Sequence, residues 1–251
     1  MIPISIQLYT VREYAEKDFR GALKTLADIG YTGVETAGLH GFPTTEVKNW
    51  LDEYGLVCSS AHSGIEFTSD AVDEIVATAK TLGYNYLIGG VGEWGTVANV
   101  DKNVATCRAS AALVKPFGMK VGVHNHWLEL DVLENGKIGL DYFLEQNPDA
   151  FSELDIYWAC NFGLVDVPAF IARNKKDLDL LHIKDGTLER NIPHTAVGKG
   201  KVPIVDCLKA ADPNVTKWAV VELDECATDM WQAVKDSYDF LTSTGLVSGN
   251  K

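Results

Sequence analysis

The sequence predicts an α/β protein, a (β/α)8 TIM barrel formed as a single domain over residues 1–251. Short apolar runs of β type alternate with longer amphipathic stretches along the whole chain, and these runs number eight. No linker-like segment interrupts the alternation, and 251 residues is close to the length that a barrel of this kind needs.

Each predicted strand is a run of four to six residues rich in aliphatic side chains. The strands are predicted at Ile4–Leu8, Gly33–Thr36, Val57–His62, Tyr84–Ile88, Lys120–Asn125, Glu153–Tyr157, Asp179–Lys184 and Trp218–Leu223. Helices are predicted between them, among others at Phe19–Ile29, Val72–Leu82, Asn103–Lys115 and Met230–Leu241. Glycines at the expected left-handed helix ends support this division, namely Gly30, Gly55, Gly83 and Gly118. The repeated unit is therefore a helix, a glycine and an apolar strand.

An open, doubly wound sheet is the alternative fold, because it shares the alternation of strands and helices. A dinucleotide-binding sheet of that kind carries GxGxxG after its first strand, whereas this chain has Leu8, Tyr9, Thr10 and Val11 there. The absence of the motif and the count of eight strands favour the closed barrel.

The charge balance argues against a nucleic-acid partner. The chain has 22 Lys and Arg against 35 Asp and Glu, which gives a formal net charge of −13. Its longest basic cluster, Arg173, Lys175 and Lys176, is followed at once by acidic residues. Such a surface repels a phosphate backbone.

The remaining composition indicates a cytoplasmic protein with no membrane association. No apolar stretch reaches the length of a membrane span, and the first residues lack the basic start of a signal peptide. The five cysteines are scattered without a CxxC pair, so reduced thiols are expected rather than disulfides or a zinc cluster.

Ionisable residues recur at six of the eight predicted strand ends, which is where barrel enzymes place their chemistry. They are Glu35, His62, His124 and His126 with Glu129 just beyond, Asp155, His182 with Lys184 and Asp185, and Glu222 with Asp224 and Glu225. Carboxylates that converge in this way repel one another unless a cation lies among them. The pattern therefore predicts one divalent metal ion. Hard oxygen ligands favour Mn²⁺ or Mg²⁺, with Co²⁺, Fe²⁺ and Zn²⁺ as alternatives.

Eight short segments occur in order at barrel spacing and together resemble a known family. They are SIQLYTVR (5–12), GVE (33–35), SAH (60–62), VGVHNHWLEL (121–130), ELDIYW (153–158), LLHIKDG (180–186), VGKGKVP (197–203) and VVELDE (220–225). The chain resembles the sugar phosphate isomerase/epimerase group of the xylose isomerase-like barrels, which includes inosose dehydratases and ketose 3-epimerases and is related to enzymes acting on 3-keto-glycosides.

This resemblance implies one metal ion held by Glu, Asp, His and Glu from strands five to eight. By matching motifs these residues are Glu129, Asp155, His182 and Glu222. Many members of the family carry the first glutamate on strand five itself, where this chain has His124. Either Glu129 reaches back from the loop, or His124 or His126 supplies the ligand.

Several further residues are candidates for substrate binding. Glu35 either braces the barrel mouth or contacts substrate, and His62 is either a core histidine or a substrate ligand. Lys184 is expected to face a substrate oxygen or an enolate, and His124 is a further substrate contact. Trp158, with Tyr9, Trp94 and Trp127, is a candidate wall for a sugar ring, with ordinary packing as the alternative. Gly198 and Gly200 are expected in a turn, with backbone N–H donation to a ligand as the alternative.

The resemblance and the site residues together predict proton transfer at a carbon next to a carbonyl of a sugar or keto-sugar. Glu129, Glu222, His124 and His126 are the candidate catalytic residues. The same chemistry supports a dehydratase or β-eliminating lyase acting on an inosose or 3-keto-glycoside, including C-glycoside cleavage with a partner subunit. The two histidines on strand five favour that branch.

Two other functions remain as alternatives. A DNA-repair endonuclease is disfavoured by the net charge of −13 and by a total of only six histidines. A non-catalytic carbohydrate-binding or partner subunit is disfavoured by the intact set of candidate ligands. Either a homo-oligomer or a complex with a different subunit is compatible with the chain.

Overall fold

Eight parallel strands close into a barrel in the computed structural model, which describes residues 1–251. The strands are β1 Ile2–Gln7, β2 Gly33–Thr36, β3 Val57–His62, β4 Tyr86–Gly89, β5 Lys120–His124, β6 Phe151–Asp155, β7 Leu180–Ile183 and β8 Trp218–Val221, followed by the short β9 Val247–Ser248. The helices are α1 Arg12–Ala15, α2 Phe19–Ile29, α3 Thr44–Tyr54, α4 Val72–Leu82, α5 Val97–Val114, α6 Gly139–Gln146, α7 Ile156–Ala159, α8 Val167–Asn174, α9 Ile204–Ala210 and α10 Met230–Ser243.

Strand β1 closes the barrel because it pairs on both sides. Ser5 lies opposite Gly33 of β2 and opposite Val220 of β8. The strand order runs without a switch from β2 to β8 and back to β1, which confirms the predicted barrel and rules out the open sheet. The short β9 pairs only with the start of β1, where Ile2 faces Val247. None of the helices combines the length and the apolar character that a membrane crossing requires.

The sixth strand differs from its predicted bounds. It spans Phe151–Asp155 and stops two residues before the predicted end at Tyr157. The cause is Asp155, whose Oδ1 accepts hydrogen bonds from the backbone N–H of Tyr157 at 3.0 Å and of Trp158 at 2.9 Å. An aspartate in this position caps a helix, so the chain turns into α7 as soon as it leaves the barrel.

Apolar side chains fill the N-terminal end of the barrel interior, here called the apolar floor. The floor consists of Tyr86, Ile88, Phe151 and Leu180, with Trp218 packed against them. Gly122 on β5 makes room for it, because a Cβ atom there would lie 2.5 Å from the ring of Phe151. The charged groups of the opposite end therefore rest on a packed apolar layer.

A bulge in β3 turns two consecutive serines toward the barrel interior. Val34 pairs with Cys58, but the next residue, Glu35, pairs with Ser60, so Ser59 is the extra residue. Ser59 Oγ lies 2.8 Å from Ser5 Oγ, and Ser60 Oγ donates to Glu35 Oε2 at 2.5 Å. The bulge therefore supplies a hydrogen-bond donor to a buried carboxylate.

Candidate active site

The C-terminal ends of the strands surround a cavity of about 380 Å³ at the barrel mouth. It is lined by Gln7, Tyr9, Ala37, His62, His124, His126, Lys184, Glu222 and Asp224. A larger cavity of about 510 Å³ lies around Arg108 and Asp149, near the start of β5. The histidines and Glu222 line only the mouth cavity, which makes it the candidate active site.

Four residues at the barrel mouth, here called the inner set, bring one ligand atom each within 4.8 Å of one another: His62, His124, Glu153 and His182. Glu153 Oε2 lies 3.3 Å from His124 Nδ1, 3.2 Å from His182 Nε2 and 4.0 Å from His62 Nδ1. The other oxygen, Oε1, is buried and accepts no hydrogen bond. One carboxylate therefore meets three imidazoles.

Glu35 lies beside the inner set and is fully buried. Its Oε1 accepts from Gln7 Nε2 at 2.5 Å and lies 3.0 Å from His182 Nε2. Burial by itself would raise the pKa of Glu35, but His182 outweighs it and lowers the pKa to about 2. Glu35 is not part of the cavity wall, and its two predicted roles, bracing the mouth and contacting substrate, stay predictions.

A second group, here called the outer set, consists of His124, Asp155, His182 and Glu222, again with ligand atoms within 4.8 Å of one another. Lys184 lies against its two carboxylates. The Lys184 Nζ atom is 2.7 Å from Glu222 Oε2 and 3.0 Å from Asp155 Oδ2. The same Nζ lies 3.0 Å from Asp224 Oδ2. The outer set therefore already encloses a buried ammonium group.

His182 belongs to both sets and links them. Its Nδ1 lies 2.9 Å from Glu222 Oε2, while its Nε2 faces Glu35 and Glu153. Burial would lower the pKa of His182, but the three carboxylates raise it well above its ordinary value. Burial together with repulsion from Glu35 raises the pKa of Glu153.

The pKa values of His124 and Glu222 are lowered, whereas those of His182 and Glu153 are raised. Burial, assisted by the charge of His182, lowers the pKa of His124. Burial would raise the pKa of Glu222, but Lys184 and His182 hold it well below the ordinary range. Glu222 is therefore ionised at neutral pH, whereas His124 is a neutral imidazole.

Glu129 lies in neither set. It belongs to a short 3-10 turn, Leu128–Leu130, and its Oε2 accepts from the backbone N–H of His126 at 3.0 Å. Burial raises the pKa of Glu129. In the outer set it is His124 that accompanies Asp155, His182 and Glu222, which corresponds to one of the two arrangements that the sequence left open.

The predicted aromatic wall is divided between the cavity and the packing around it. Tyr9 lines the cavity, as does the exposed ring of His126. Trp158 lies behind them, with its ring 6.0 Å from that of His126 and 5.1 Å from that of Trp127. Lys184 Nζ is 5.7 Å from the Trp158 ring. Trp158 therefore contacts groups that line the cavity and is not itself among them.

The two glycines of the VGKGKVP segment belong to a turn that is organised by Asp185. The buried carboxylate of Asp185 accepts hydrogen bonds from four backbone N–H groups, those of Gly186, Gly198, Gly200 and Val202, at 2.9–3.0 Å. A Cβ atom at position 200 would lie 2.1 Å from Asp185 Oδ1, so only glycine fits there. The glycine N–H groups are thus directed at the protein's own carboxylate.

The sequence analysis missed two residues of the site, Glu153 and Gln7. Glu153 precedes Asp155 by two positions, and residues two apart in a strand point to the same face. That spacing identifies Glu153 once β6 is known to begin at Phe151. Gln7 carries no charge, so a pattern of ionisable residues at strand ends does not include it.

The donor atoms around His124 and His182 fit a divalent metal ion. Glu153 Oε1 is buried without a hydrogen-bond partner, and Asp155 Oδ2 has only the ammonium group of Lys184 as its partner, at 3.0 Å. Such atoms are costly to bury unless they meet a cation or a donor. Imidazole and carboxylate together are the ligands that Zn²⁺, Fe²⁺, Co²⁺ and Mn²⁺ accept in proteins.

Comparisons with known proteins agree with this architecture. No protein-family model matches the chain, and no curated protein matches it. Solved structures match over nearly the whole chain. A sugar phosphate isomerase/epimerase from Parabacteroides distasonis ATCC 8503 is 21% identical with a TM-score of 0.80, and the match covers 98% of this chain and 96% of that one.

Two other matches carry different activities in their descriptions. The probable 3-DHS dehydratase AsbF of Bacillus anthracis is 13% identical, with a TM-score of 0.76 over 96% of this chain and 99% of that chain. A D-allulose 3-epimerase from Methylomonas sp., solved with D-allulose, is 17% identical, with a TM-score of 0.73 over 97% of both chains. The chain shares the (β/α)8 barrel fold of these structures. At these identities the likeness establishes the fold and leaves the reaction to the site.

Proposed function

We propose that this chain is a metal-dependent enzyme of the isomerase or epimerase type, which transfers a proton at a carbon next to a carbonyl of a sugar or keto-sugar. The observation that carries the proposal is the mouth cavity, where Glu222 and Lys184 lie next to the histidine pair His124 and His182. Proton donors, proton acceptors and candidate metal ligands thus meet at one small cavity.

A bound divalent ion would polarise the carbonyl and stabilise the charge that develops on its oxygen. His124 and His182 are the histidines common to both candidate sets and would hold it, completed either by Asp155 and Glu222 or by His62 and Glu153. The sequence motifs place Glu129 among the ligands, and that assignment stays a prediction. Mn²⁺ is the ion that the sequence favoured.

The chain's own side chains divide the proton chemistry between them. Glu222 is ionised, lines the cavity and is suited to accept the proton. The buried Lys184, whose pKa its three carboxylate neighbours raise against the effect of burial, stays protonated and stabilises a developing oxyanion. His126 at the exposed rim is the candidate for returning a proton on another atom or face.

The cavity fits a small substrate. A volume of about 380 Å³ suits one or two sugar rings, and Tyr9 and His126 offer ring faces against which a sugar can pack. The net charge of −13 argues against DNA as a substrate. The descriptions of two similar structures, a sugar phosphate isomerase/epimerase and a D-allulose 3-epimerase, name sugar substrates, which supports the proposed substrate class.

A dehydratase or β-eliminating lyase that acts on an inosose or 3-keto-glycoside is the second candidate. One observation favours it: the outer set contains His124 at the strand-five position where the family resemblance implies a glutamate. Lys184 and His126, which line the same cavity, could protonate a leaving group. Cleavage of a C-glycoside with a partner subunit belongs to this candidate. A non-catalytic carbohydrate-binding subunit is the proposal of another class, and it retains the cavity but predicts no turnover.

The decisive experiment follows solvent deuterium into substrate. The purified protein is analysed for bound metal and then incubated in D₂O with ketoses, inososes and 3-keto-glycosides, with and without phosphate groups. We expect exchange at the carbon next to the carbonyl in at least one class. Glu222→Gln should lower the exchange rate by roughly 10²–10⁴-fold, the usual contribution of a general base.

The exposed Glu225 three positions along the chain supplies the matched control, because Glu225→Gln removes the same charge outside the cavity. Exchange in none of the substrates, or exchange that survives Glu222→Gln, contradicts the proposal. Formation of an unsaturated product instead of simple exchange selects the lyase. Light scattering on the same sample tests the proposed self-association, and we expect the protein to be cytoplasmic.

A further inference from the structure

We propose that the larger cavity, near the start of β5, is a binding site for a small phosphate ester. This cavity, here called the lower cavity, has a volume of about 510 Å³ and lies between α5, the start of β5 and the turn that joins α6 to β6. It is separate from the candidate active site, which lies at the opposite ends of the strands. The proposal therefore goes beyond the proposed function and does not depend on it.

The lining of the lower cavity is positively charged, in contrast to the chain as a whole. Arg108, Lys115 and Lys120 line it together with one carboxylate, that of Asp149. The formal net charge of the protein is −13. Three cations against one carboxylate at a concave site attract an anion, even though most of the surface repels it.

The basic side chains keep donors that a ligand can use. Arg108 donates from Nη2 to the carbonyl of Gln146 at the end of α6, which offsets the negative end of that helix and leaves its other N–H groups available. Lys115 Nζ lies 3.3 Å from Asp149 Oδ1, and both side chains are more than two-thirds exposed. Exposed pairs of this kind contribute little to stability, so an anionic ligand can replace the aspartate. Lys120 is paired with a buried carboxylate at 2.6 Å and keeps about half of its side chain exposed.

Helix α5 forms one wall of the lower cavity. Arg108, Ala111 and Ala112 in α5 and Lys115 directly after it are spaced so that they lie on one face of the helix. The two alanines leave room between the basic groups, and Met119 adds apolar surface. A ligand in this space meets cations at its charged group and apolar contacts along its body.

Asn147, on the opposite wall, has a buried donor that lacks an acceptor. The residue is 1% exposed, lines the cavity, and its Nδ2 has no hydrogen-bond partner. Burial raises the pKa of the nearby Cys107 thiol to about 11, so this neighbour is neutral, and a thiol is only a weak acceptor. A buried donor without an acceptor costs free energy in the folded protein. An oxygen atom of a ligand bound in the cavity would remove that cost.

These features together favour a phosphate ester over other anions. Phosphate oxygens accept hydrogen bonds from arginine and lysine at the same time, and arginine matches their geometry. A cavity of about 510 Å³ is of the size that small-molecule ligands occupy and is larger than a phosphate ion needs. We therefore expect a sugar phosphate or a nucleoside monophosphate to bind more tightly than inorganic phosphate.

Calorimetric titration of the wild-type protein tests the class of ligand. The probes are inorganic phosphate, glucose 6-phosphate and adenosine monophosphate, with glucose and adenosine as their uncharged counterparts. At least one ester should bind roughly tenfold or more tightly than inorganic phosphate and than its own counterpart, because the charged group and the body both contribute. Its affinity should fall as the salt concentration rises. The ester that binds more tightly identifies the sugar or the nucleoside as the body.

Variants of α5 locate the site. Arg108→Gln should weaken binding of the ester by roughly tenfold or more, because a charge-assisted hydrogen bond to phosphate is lost. Lys102→Gln removes the same charge from the same helix outside the cavity and is the matched control. His126→Gln at the barrel mouth serves as the probe of the other cavity, and it should leave binding of the ester unchanged.

Asn147→Leu distinguishes a ligand contact from a structural role. If the amide serves the ligand, the variant should bind the ester roughly 2–10-fold more weakly, the usual contribution of one neutral hydrogen bond. The Tm of the ligand-free variant should stay the same or rise, because an unpaired buried donor has been removed. A lower Tm with unchanged binding would show that the amide is structural. Arg108 is exposed, so its variant keeps the test decisive if Asn147→Leu fails to fold.

The outcomes either support the lower site or overturn it. Binding that is weakened in Arg108→Gln and retained in Lys102→Gln and His126→Gln supports it. Loss of binding in His126→Gln alone places the ester at the mouth and overturns the proposal. So does the absence of saturable binding of every probe at roughly millimolar concentrations. Equal affinities for inorganic phosphate and both esters overturn the assignment to an ester. None of these results depends on deuterium exchange, so the proposed function is tested separately.

Discussion

The two ends of the barrel interior are built on opposite principles. The apolar floor is made of aromatic and aliphatic side chains that need no specific partner. The mouth holds five carboxyl groups, three imidazoles and one ammonium group: Glu35, Glu153, Asp155, Glu222, Asp224, His62, His124, His182 and Lys184. Both ends are contributed by the same strands.

Strand β6 shows how one segment serves both ends. Phe151 at its start packs in the floor, whereas Glu153 and Asp155 further along reach the mouth. Alternation directs all three to the same side of the strand. Burial of the floor stabilises the fold, whereas burial of the charged groups at the mouth lowers the free energy of unfolding. Stability and chemistry are thus separated along the strand axis by a few residues.

Removing the floor should have the largest effect on stability. Phe151→Ala deletes a fully buried ring that fills the space over Gly122 and should lower the free energy of unfolding by about 3–5 kcal/mol. Urea titration measures the loss, with the exposed Phe117→Ala as control. Metal affinity should stay within a few-fold of wild type. A variant that loses metal without losing stability would show that the two ends are not separate.

Weakening the turn that Asp185 organises should have an intermediate effect on the free energy of unfolding. Asp185→Asn replaces a carboxylate that accepts four backbone N–H groups by an amide that can accept fewer, which should cost about 2–3 kcal/mol. Amide exchange at Gly198 and Gly200 should accelerate more than exchange in the floor strands. Asp212→Asn in the turn before Asn214 is the control. Unchanged exchange at these glycines would refute the role of Asp185.

The smallest effect, with the opposite sign, is expected for Glu129→Gln. Because burial raises the pKa of Glu129 above its ordinary 4.5, its proton stabilises the fold below pH 4.5, and that contribution is lost as the pH rises through the raised pKa. The neutral glutamine should therefore increase stability slightly at pH 7, and the gain should vanish below pH 4.5. Thermal unfolding at both pH values measures it.

The same variant tests the ligand role that the sequence motifs implied. If Glu129 does not bind the metal ion, the variant Glu129→Gln retains its full metal content. Glu134→Gln on the same loop is the control. Loss of bound metal in Glu129→Gln alone would restore the glutamate to the ligand set and remove the reason for placing His124 there.

The fold was predictable because it depends on a pattern that repeats. Eight apolar runs, separated by helices that end in glycine, are enough to specify a barrel, and the rule that chemistry lies at strand ends brought Glu35, His62, His124, Asp155, His182 and Glu222 together. What the pattern cannot supply is the direction of a loop side chain. Glu129 lies close to the mouth in sequence, yet its 3-10 turn directs it to the backbone of His126.

The exact bounds of a strand also determine which of its residues are predicted to lie at the mouth. With β6 assigned to start at Glu153, that residue counted as a strand start and not as part of the mouth. The local turn made by the Asp155 side chain, which ends the strand early, is a hydrogen-bonding detail that no apolar periodicity reveals. Contacts between residues far apart in the chain, such as Lys184 with Asp155, are likewise invisible to local patterns.

The two oxygens of Asp155 limit how this barrel can evolve. One oxygen directs the chain from β6 into α7, and the other faces Lys184 inside the mouth. A single codon therefore carries both the course of a loop and the charge balance of a buried site. Asparagine preserves the first property alone, and glutamate is too long to preserve the cap. Diversification of the substrate is consequently expected through the rim, at positions such as Tyr9 and His126, where a substitution alters one property at a time.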